Sequence, residues 1–194
     1  MNLTGRKTIE VWGLSLRLFH WILVVSFLAS WWSMGRDIRV HILAGSVIVG
    51  LLLYRFIWGF IGEKHALFTS FKPSFLAVKQ HFVDLLGLRG RADVGHTPIG
   101  SLMIFALLTS LFMLALSGLS LIGLQMNVGV FAGLEANYDT ELLIQSIHEW
   151  CFEALWVLVV IHLAGVLVES LLQRSNIIKA MFTGKKIIKE AKDL

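Results

Sequence analysis

Four long apolar stretches, separated by polar segments, dominate the chain. They cover approximately residues 12–33, 38–59, 98–124 and 146–171. Each is at least as long as the ~20 residues that a helix needs to cross a bilayer. The pattern therefore predicts an all-α membrane protein whose four transmembrane helices form a bundle, a fold in which cofactors are bound between facing helices.

Two connecting segments have patterns of their own. In the segment between the second and third spans, apolar residues recur at helical spacing at Phe75, Val78, Phe82, Leu85 and Leu86. This spacing predicts an amphipathic helix lying on the membrane surface, although a solvated helix explains it equally well. The segment 125–145, which precedes the fourth span and contains acidic but no basic residues, is predicted to be an external loop.

Composition and charge support a membrane protein. Of 194 residues, 56% are hydrophobic and 15% are charged, whereas about a quarter are charged in soluble domains. The net charge of +4 does not indicate a nucleic-acid partner, because the basic residues lie at the ends of apolar stretches beside lipid. The single cysteine, Cys151, excludes an internal disulfide and any Cys-x-x-Cys motif for zinc or covalent haem.

Lysine and arginine are distributed unequally between the two sides of the predicted bundle. They are frequent before the first span, between the second and third spans, and after Arg174, and they are absent from 125–145. Because basic residues favour the cytoplasmic side, both termini are predicted to be cytoplasmic.

Four histidines lie within the spans and match in depth as two pairs. His148 and His162 are fourteen residues apart, which brings them to the same helix face roughly 21 Å apart along the axis. His20 and His162 are both about 12 Å from the cytoplasmic side, and His41 is level with His148 near the other side. We call His20 and His162 the inner pair, and His41 and His148 the outer pair.

Two imidazoles at one depth suit haem better than zinc. A structural zinc usually takes four protein ligands. Haem supplies four nitrogens itself and needs only axial ligands. Because a Cys-x-x-Cys-His motif is absent, the haems would be non-covalent, that is, b-type. The sequence thus predicts two b-type haems whose iron is bound by His20, His162, His41 and His148. A single intramembrane histidine is often only a hydrogen-bonding contact between helices, so the prediction depends on the pairing.

Other residues near the pairs are candidates for binding the haem itself. Four arginines near the span ends are candidates for the haem propionates: Arg17 and Arg55 at the inner pair, and Arg36 and Arg39 at the outer pair. Anchoring of helix ends explains them equally well. Gly45 and Gly165, which follow His41 and His162 by four and three residues, would let a flat ring approach the backbone, or would serve ordinary helix packing. His65, His81 and His96 lie between spans and are expected not to bind metal.

Several motifs along the chain resemble one known family. They are Arg17–Trp21 (RLFHW), His41–Gly45 (HILAG), Arg55–Gly59 (RFIWG), Gly95–Gly100 (GHTPIG), Ser117-Gly118, His148-Glu149 and His162. The chain resembles the bacterial cytochrome b-561 family of di-haem membrane cytochromes, which includes the b-type subunit of Ni/Fe-hydrogenases. The resemblance implies a multi-pass protein of the bacterial cell inner membrane, with the same four histidines as haem ligands. Gly13, where the family often has an acidic residue, and Thr97, where it often has Asn, depart from the pattern.

Function follows from the expected coordination. Two bis-histidine haems without an open coordination position favour electron transfer, and no catalytic side chain is expected. The family implies exchange with the quinone pool, with quinone or quinol as substrate, and with a periplasmic c-type cytochrome or enzyme subunit. A stand-alone superoxide:quinone oxidoreductase is an alternative. A haem-free metal or proton transporter would use the same histidines.

Overall fold

A computed structural model describes residues 6–63, 66–72, 74–88 and 95–189. The elements in chain order are β1 (Arg6–Glu10), α1 (Leu14–Ser33), α2 (Ile38–Ile61), a 3₁₀ helix (Phe68–Phe71), α3 (Phe75–Leu86), α4 (Pro98–Met126), α5 (Tyr138–Leu172), α6 (Ile177–Thr183) and β2 (Lys185–Lys189). In the described part of the chain, α1, α2, α4 and α5 are the helices long and apolar enough to cross a membrane. The predicted four spans are confirmed.

The bounds of the spans agree with the prediction except at the start of α5. This helix begins at Tyr138, so the prediction of a loop through residue 145 was wrong for its last eight residues. The Asn137 side chain accepts hydrogen bonds from the backbone and hydroxyl of Thr140 at 2.9 and 2.7 Å, which caps the first turn. Asp139 and Glu141 in that turn complement the positive end of the helix dipole. At 35 residues, α5 is about 52 Å long and therefore exceeds the ~30 Å hydrocarbon thickness.

One compact unit comprises residues 22–54 and 104–160. Its core contains one buried residue from each of the four spans: Phe27, Ile48, Leu111 and Leu155. Trp156 packs beside this core, with its ring centroid 5.5 Å from that of Phe27. The four spans thus interlock here as a helix bundle.

The second compact unit comprises the described residues among 6–21, 55–103 and 161–189. In it, β1 and β2 pair as an antiparallel sheet, with Arg6 opposite Lys189. Val11 and Trp12 pack on Ala180, and the Val11 backbone donates to the Gly184 carbonyl at 2.8 Å. Gly184 ends α6 with a φ of +78°, a conformation that favours glycine. Neither strand was predicted from the sequence.

The helix α3 is confirmed, and its burial is uneven. His81 is 1% exposed, whereas Phe75 is 87% and Leu76 is 76% exposed. Most exposed residues of α3 are apolar, as expected of a helix in a membrane interface, and Lys79 and Gln80 are exposed beside them. Its contact with the membrane stays a prediction.

Candidate functional site

The two histidines of the outer pair lie close together. The ring centroids of His41 on α2 and His148 on α5 are 6.3 Å apart, and the ring planes are 72° from parallel. His41 Nδ1 lies 3.0 Å from the Ser30 carbonyl oxygen. Because a carbonyl oxygen only accepts hydrogen bonds, this nitrogen carries the proton and donates it. The lone pair of the neutral His41 ring is therefore on Nε2.

In the other ring of the outer pair, the same nitrogen meets a serine hydroxyl instead of a backbone carbonyl. His148 Nδ1 is 3.0 Å from Ser117 Oγ. The Ser117 hydroxyl lies 2.9 and 3.0 Å from the carbonyl oxygens of Met113 and Leu114 and donates to them. Ser117 Oγ is thus left to accept the Nδ1 proton of His148. In both rings Nε2 is left without the proton, and metal-binding histidines usually have a hydrogen bond at the other ring nitrogen, as these two do.

Gly118 allows α4 to come close to this histidine. A Cβ at Gly118 would lie 3.1 Å from Cε1 of His148. No role was predicted from the sequence for Ser30, Ser117 or Gly118. The dipeptide Ser117-Gly118 belongs to the resemblance, which was the available signal for two of them, whereas Ser30 lies in an apolar span without a distinguishing pattern.

The histidines of the inner pair are His20 on α1 and His162 on α5. Both side chains are half-buried. The imidazoles are close enough for their charges to interact. His20 packs edge-to-face on Trp21 with the centroids 5.1 Å apart. Its Nδ1 is buried and lacks a hydrogen-bond partner among the residues that the structure describes.

The arginines predicted near the inner pair contact protein groups. Arg17 donates from its guanidinium to the Phe182 carbonyl oxygen. Arg55 is 4% exposed, and its guanidinium carbon lies 4.6 Å from the ring centroid of Phe68 and 5.8 Å from that of Phe71. These distances are typical of cation–π contacts.

Beside His41 there is a cavity of about 390 Å³. It is lined by Ser33, Met34, Gly35, Arg36, Ile38 and His41. Arg36 is exposed and donates to the Trp32 carbonyl oxygen at 2.7 Å. Arg39 is also exposed. Of the two arginines predicted at the outer pair, Arg36 is the one that lines this cavity.

The two glycines predicted to face a flat ring have space beside them. No described heavy atom lies within 4 Å of a Cβ placed on Gly45 or Gly165, apart from the local chain. Of the histidines expected not to bind metal, His96 lies 6.1 Å from Trp12 and 4.9 Å from Phe71 between ring centroids. His81 pairs with Glu169, and His65 lies outside the described residues.

Comparison with known proteins identifies the family. The model of the prokaryotic cytochrome b561 family matches residues 11–184. A probable Ni/Fe-hydrogenase B-type cytochrome subunit of Rhizobium leguminosarum bv. viciae is 23% identical, with 97% of this chain and 92% of the relative covered. A probable Ni/Fe-hydrogenase 1 B-type cytochrome subunit of Escherichia coli K12 is 26% identical, with 78% and 70% covered. No solved structure matches the chain at a significant level.

The family match covers nearly the whole chain, from just before α1 to the end of α6. Members of this family are integral membrane proteins and imply b-type haem, in agreement with the four spans and their histidines. The chain therefore belongs to the prokaryotic cytochrome b561 family and is a membrane electron-transfer cytochrome b.

Proposed function

We propose that this cytochrome carries electrons across the membrane through two non-covalent b-type haems. His41 and His148 bind the iron of the outer haem, and His20 and His162 bind that of the inner haem. The protein exchanges electrons with the quinone pool on one side and with a periplasmic c-type cytochrome or enzyme subunit on the other. The relatives named as Ni/Fe-hydrogenase subunits favour an enzyme subunit in a membrane complex.

The separation of the outer pair is the observation that supports this proposal best. A metal lies about 2.0–2.1 Å from an imidazole nitrogen, which is itself roughly 1.2 Å from the ring centre, so two rings on opposite sides of one metal have centres about 6.4 Å apart. The centroids of His41 and His148 are 6.3 Å apart. Their Nδ1 atoms are held by Ser30 and Ser117, which leaves Nε2 of each ring for the iron.

The surroundings also fit a haem. The cavity beside His41 contains Arg36, whose guanidinium is suited to a propionate. We assign Arg39 to the propionates of the outer haem as well, and Arg17 and Arg55 to the propionates of the inner haem. The buried Nδ1 of His20 lacks a partner among the described residues, as a ring nitrogen reserved for a ligand or a bound group would.

The protein's residues determine what such haems do. Haem iron supplies a reversible one-electron couple at each site. Two histidine ligands at each haem would leave no open coordination position, which would disfavour oxygen chemistry at the iron and favour electron transfer. Ser30 and Ser117 fix the tautomer and orientation of the outer ligands. Both ligand sets share α5, which is continuous from Tyr138 to Leu172 and carries His148 and His162.

The test is the haem content and reactivity of the purified protein. We expect two haems per chain as a b-type pyridine haemochrome, and reduction by a quinol. A colourless protein would contradict the haem proposal and favour the transporter alternative. Oxidation of superoxide by the purified protein, coupled to quinone reduction, would favour the superoxide:quinone oxidoreductase alternative.

A further inference from the structure

Three polar side chains are enclosed where α3 meets the end of α5. His81 on α3 is 1% exposed, and its Nε2 lies 2.8 Å from Glu169 Oε1. Gln173, just after α5, donates from Nε2 to Glu169 Oε2 at 2.5 Å. The Glu169 side chain is itself only 12% exposed. The carboxylate of Glu169 is thus held between an imidazole and an amide.

Three polar atoms of this cluster are buried without a hydrogen bond to the residues that the structure describes. They are His81 Nδ1, Gln173 Oε1 and Glu169 Oε1, the last of which lies 2.8 Å from His81 Nε2. Nε2 of His81 lies 2.8 Å from a carboxylate oxygen, which cannot donate, so the proton of the neutral ring is on Nε2. His81 Nδ1 is then an acceptor, as is the amide oxygen. Buried polar atoms are rarely left unsatisfied. A bound group that supplies hydrogen-bond donors would satisfy His81 Nδ1 and Gln173 Oε1.

The cluster lies on the same side of α5 as His162 of the inner pair. Glu169 follows His162 by seven residues, which places it within roughly 20° of the same helix face and about 10.5 Å farther along α5. On α3, the apolar residues Phe82 and Leu86 are 56% and 72% exposed. A lipid-soluble ligand would therefore meet an apolar surface on the helix that carries His81.

We propose that His81, Glu169 and Gln173 bind and deprotonate a quinol at the inner end of the bundle. This inference rests on the proposed function, since the inner haem accepts the electrons. A quinol has two hydroxyl donors, which match the acceptors His81 Nδ1 and Gln173 Oε1. An oxidised quinone has only acceptors, so these two atoms select the reduced form.

The proton transfer is a general-base step. When a haem bound at the inner pair accepted one electron, a quinol O–H bond would break and His81 Nδ1 would take the proton. Glu169 would stabilise the resulting imidazolium through the 2.8 Å contact with Nε2. Once the haem had passed that electron on and His81 had released the proton to water, the haem would accept the second electron and His81 the second proton. The quinol would thus lose two electrons and two protons and leave as quinone.

A purely structural role predicts a different result. If the His81–Glu169 pair only joins α3 to α5, its loss lowers stability and leaves the reaction with quinol unchanged. Buried ion pairs are in any case weak evidence for a stabilising role. Kinetics with the haems in place separate the two roles.

The experiment is His81→Gln in the haem-loaded protein. The Gln amide nitrogen replaces Nε2 as donor to Glu169, but no base remains in place of Nδ1. In stopped-flow experiments with decyl-ubiquinol we expect the inner haem to be reduced about 100-fold more slowly. Haem content, the absorption spectrum and reduction by dithionite stay as in the wild type. His96→Gln makes the same change at a histidine outside the cluster, and we expect its quinol rate to stay within about twofold of wild type.

Two results would overturn the inference, and they differ from each other. If His81→Gln is reduced by quinol at the wild-type rate, the cluster is not the quinol site, although the proposed function stands. If the wild type is itself not reduced by quinol, the quinone part of the proposed function fails and the inference fails with it. If His81→Gln loses its haem, Gln173→Leu is measured in its place. We expect this variant to have a several-fold higher KM for quinol, because it lacks the second acceptor. An unchanged KM overturns the inference.

Discussion

Ser117 offers a test of how the proposed outer haem would be held. In Ser117→Ala, His148 loses the hydroxyl oxygen that accepts its Nδ1 proton at 3.0 Å. The continuous helix α5 still carries His148 at the same position. We therefore expect the ligand to stay in place while its basicity falls, because part of the support that a metal-binding histidine receives is gone.

The magnitude follows from the single hydrogen bond removed. A typical intramolecular hydrogen bond contributes about 0.5–1.5 kcal/mol. Since a less basic ligand stabilises ferric iron less, the midpoint potential of the outer haem should rise, by up to roughly 20–65 mV for a one-electron couple. A redox titration followed in the visible spectrum measures this shift. The outer signal is the one that His41→Ala removes.

Ser120→Ala is the matched control. Ser120 lies on the same helix, and its hydroxyl donates to the Leu116 carbonyl oxygen at 2.9 Å, as Ser117 does to Met113. In this variant both potentials should equal those of the wild type. A shift of the inner haem in Ser117→Ala, or no difference between the two serine variants, would refute the assignment of His148 to the outer haem.

Three further changes test the inner pair, the bundle core and the terminal sheet. His20→Ala should lose the inner haem and keep the outer one, which halves the haem content; a folded protein that has lost both signals would contradict the pairing. Leu155→Ala should lower the free energy of unfolding by about 2–5 kcal/mol, because Leu155 is 1% exposed in the core, as measured by thermal denaturation in detergent. Val157 faces outward, so Val157→Ala should change the free energy of unfolding little. If Val157→Ala and Leu155→Ala lowered this free energy equally, the assignment of Leu155 to the core would be wrong. Gly184→Ala should cost about 1–3 kcal/mol, because φ is +78° and the new Cβ would lie 2.7 Å from the Trp12 carbonyl oxygen. Faster amide hydrogen exchange at Val11 would show this loss of stability, whereas unchanged exchange would show that the end of the sheet tolerates a side chain at residue 184.

Elements whose formation depends on local pattern were predictable. The spans are long apolar stretches, and helices α1, α2 and α4 begin or end within two residues of the expected bounds. The start of α5 was not predictable, because the cap formed by Asn137 lies in a polar segment that resembles a loop. The helix α3 followed from its spacing, but the burial of His81 did not, because its partner Glu169 is far along the chain.

The sequence by itself determined the class of the protein, its four spans and the identity of the candidate ligands, because lipid requires continuous apolar helices and makes every intramembrane histidine conspicuous. Tertiary structure decided which side chains meet. The serines that orient His41 and His148, the pairing of β1 with β2 and the enclosure of His81 beside Glu169 all join residues from different elements. Such contacts depend on the rotation and depth of each packed helix, and single-chain periodicity specifies these only approximately.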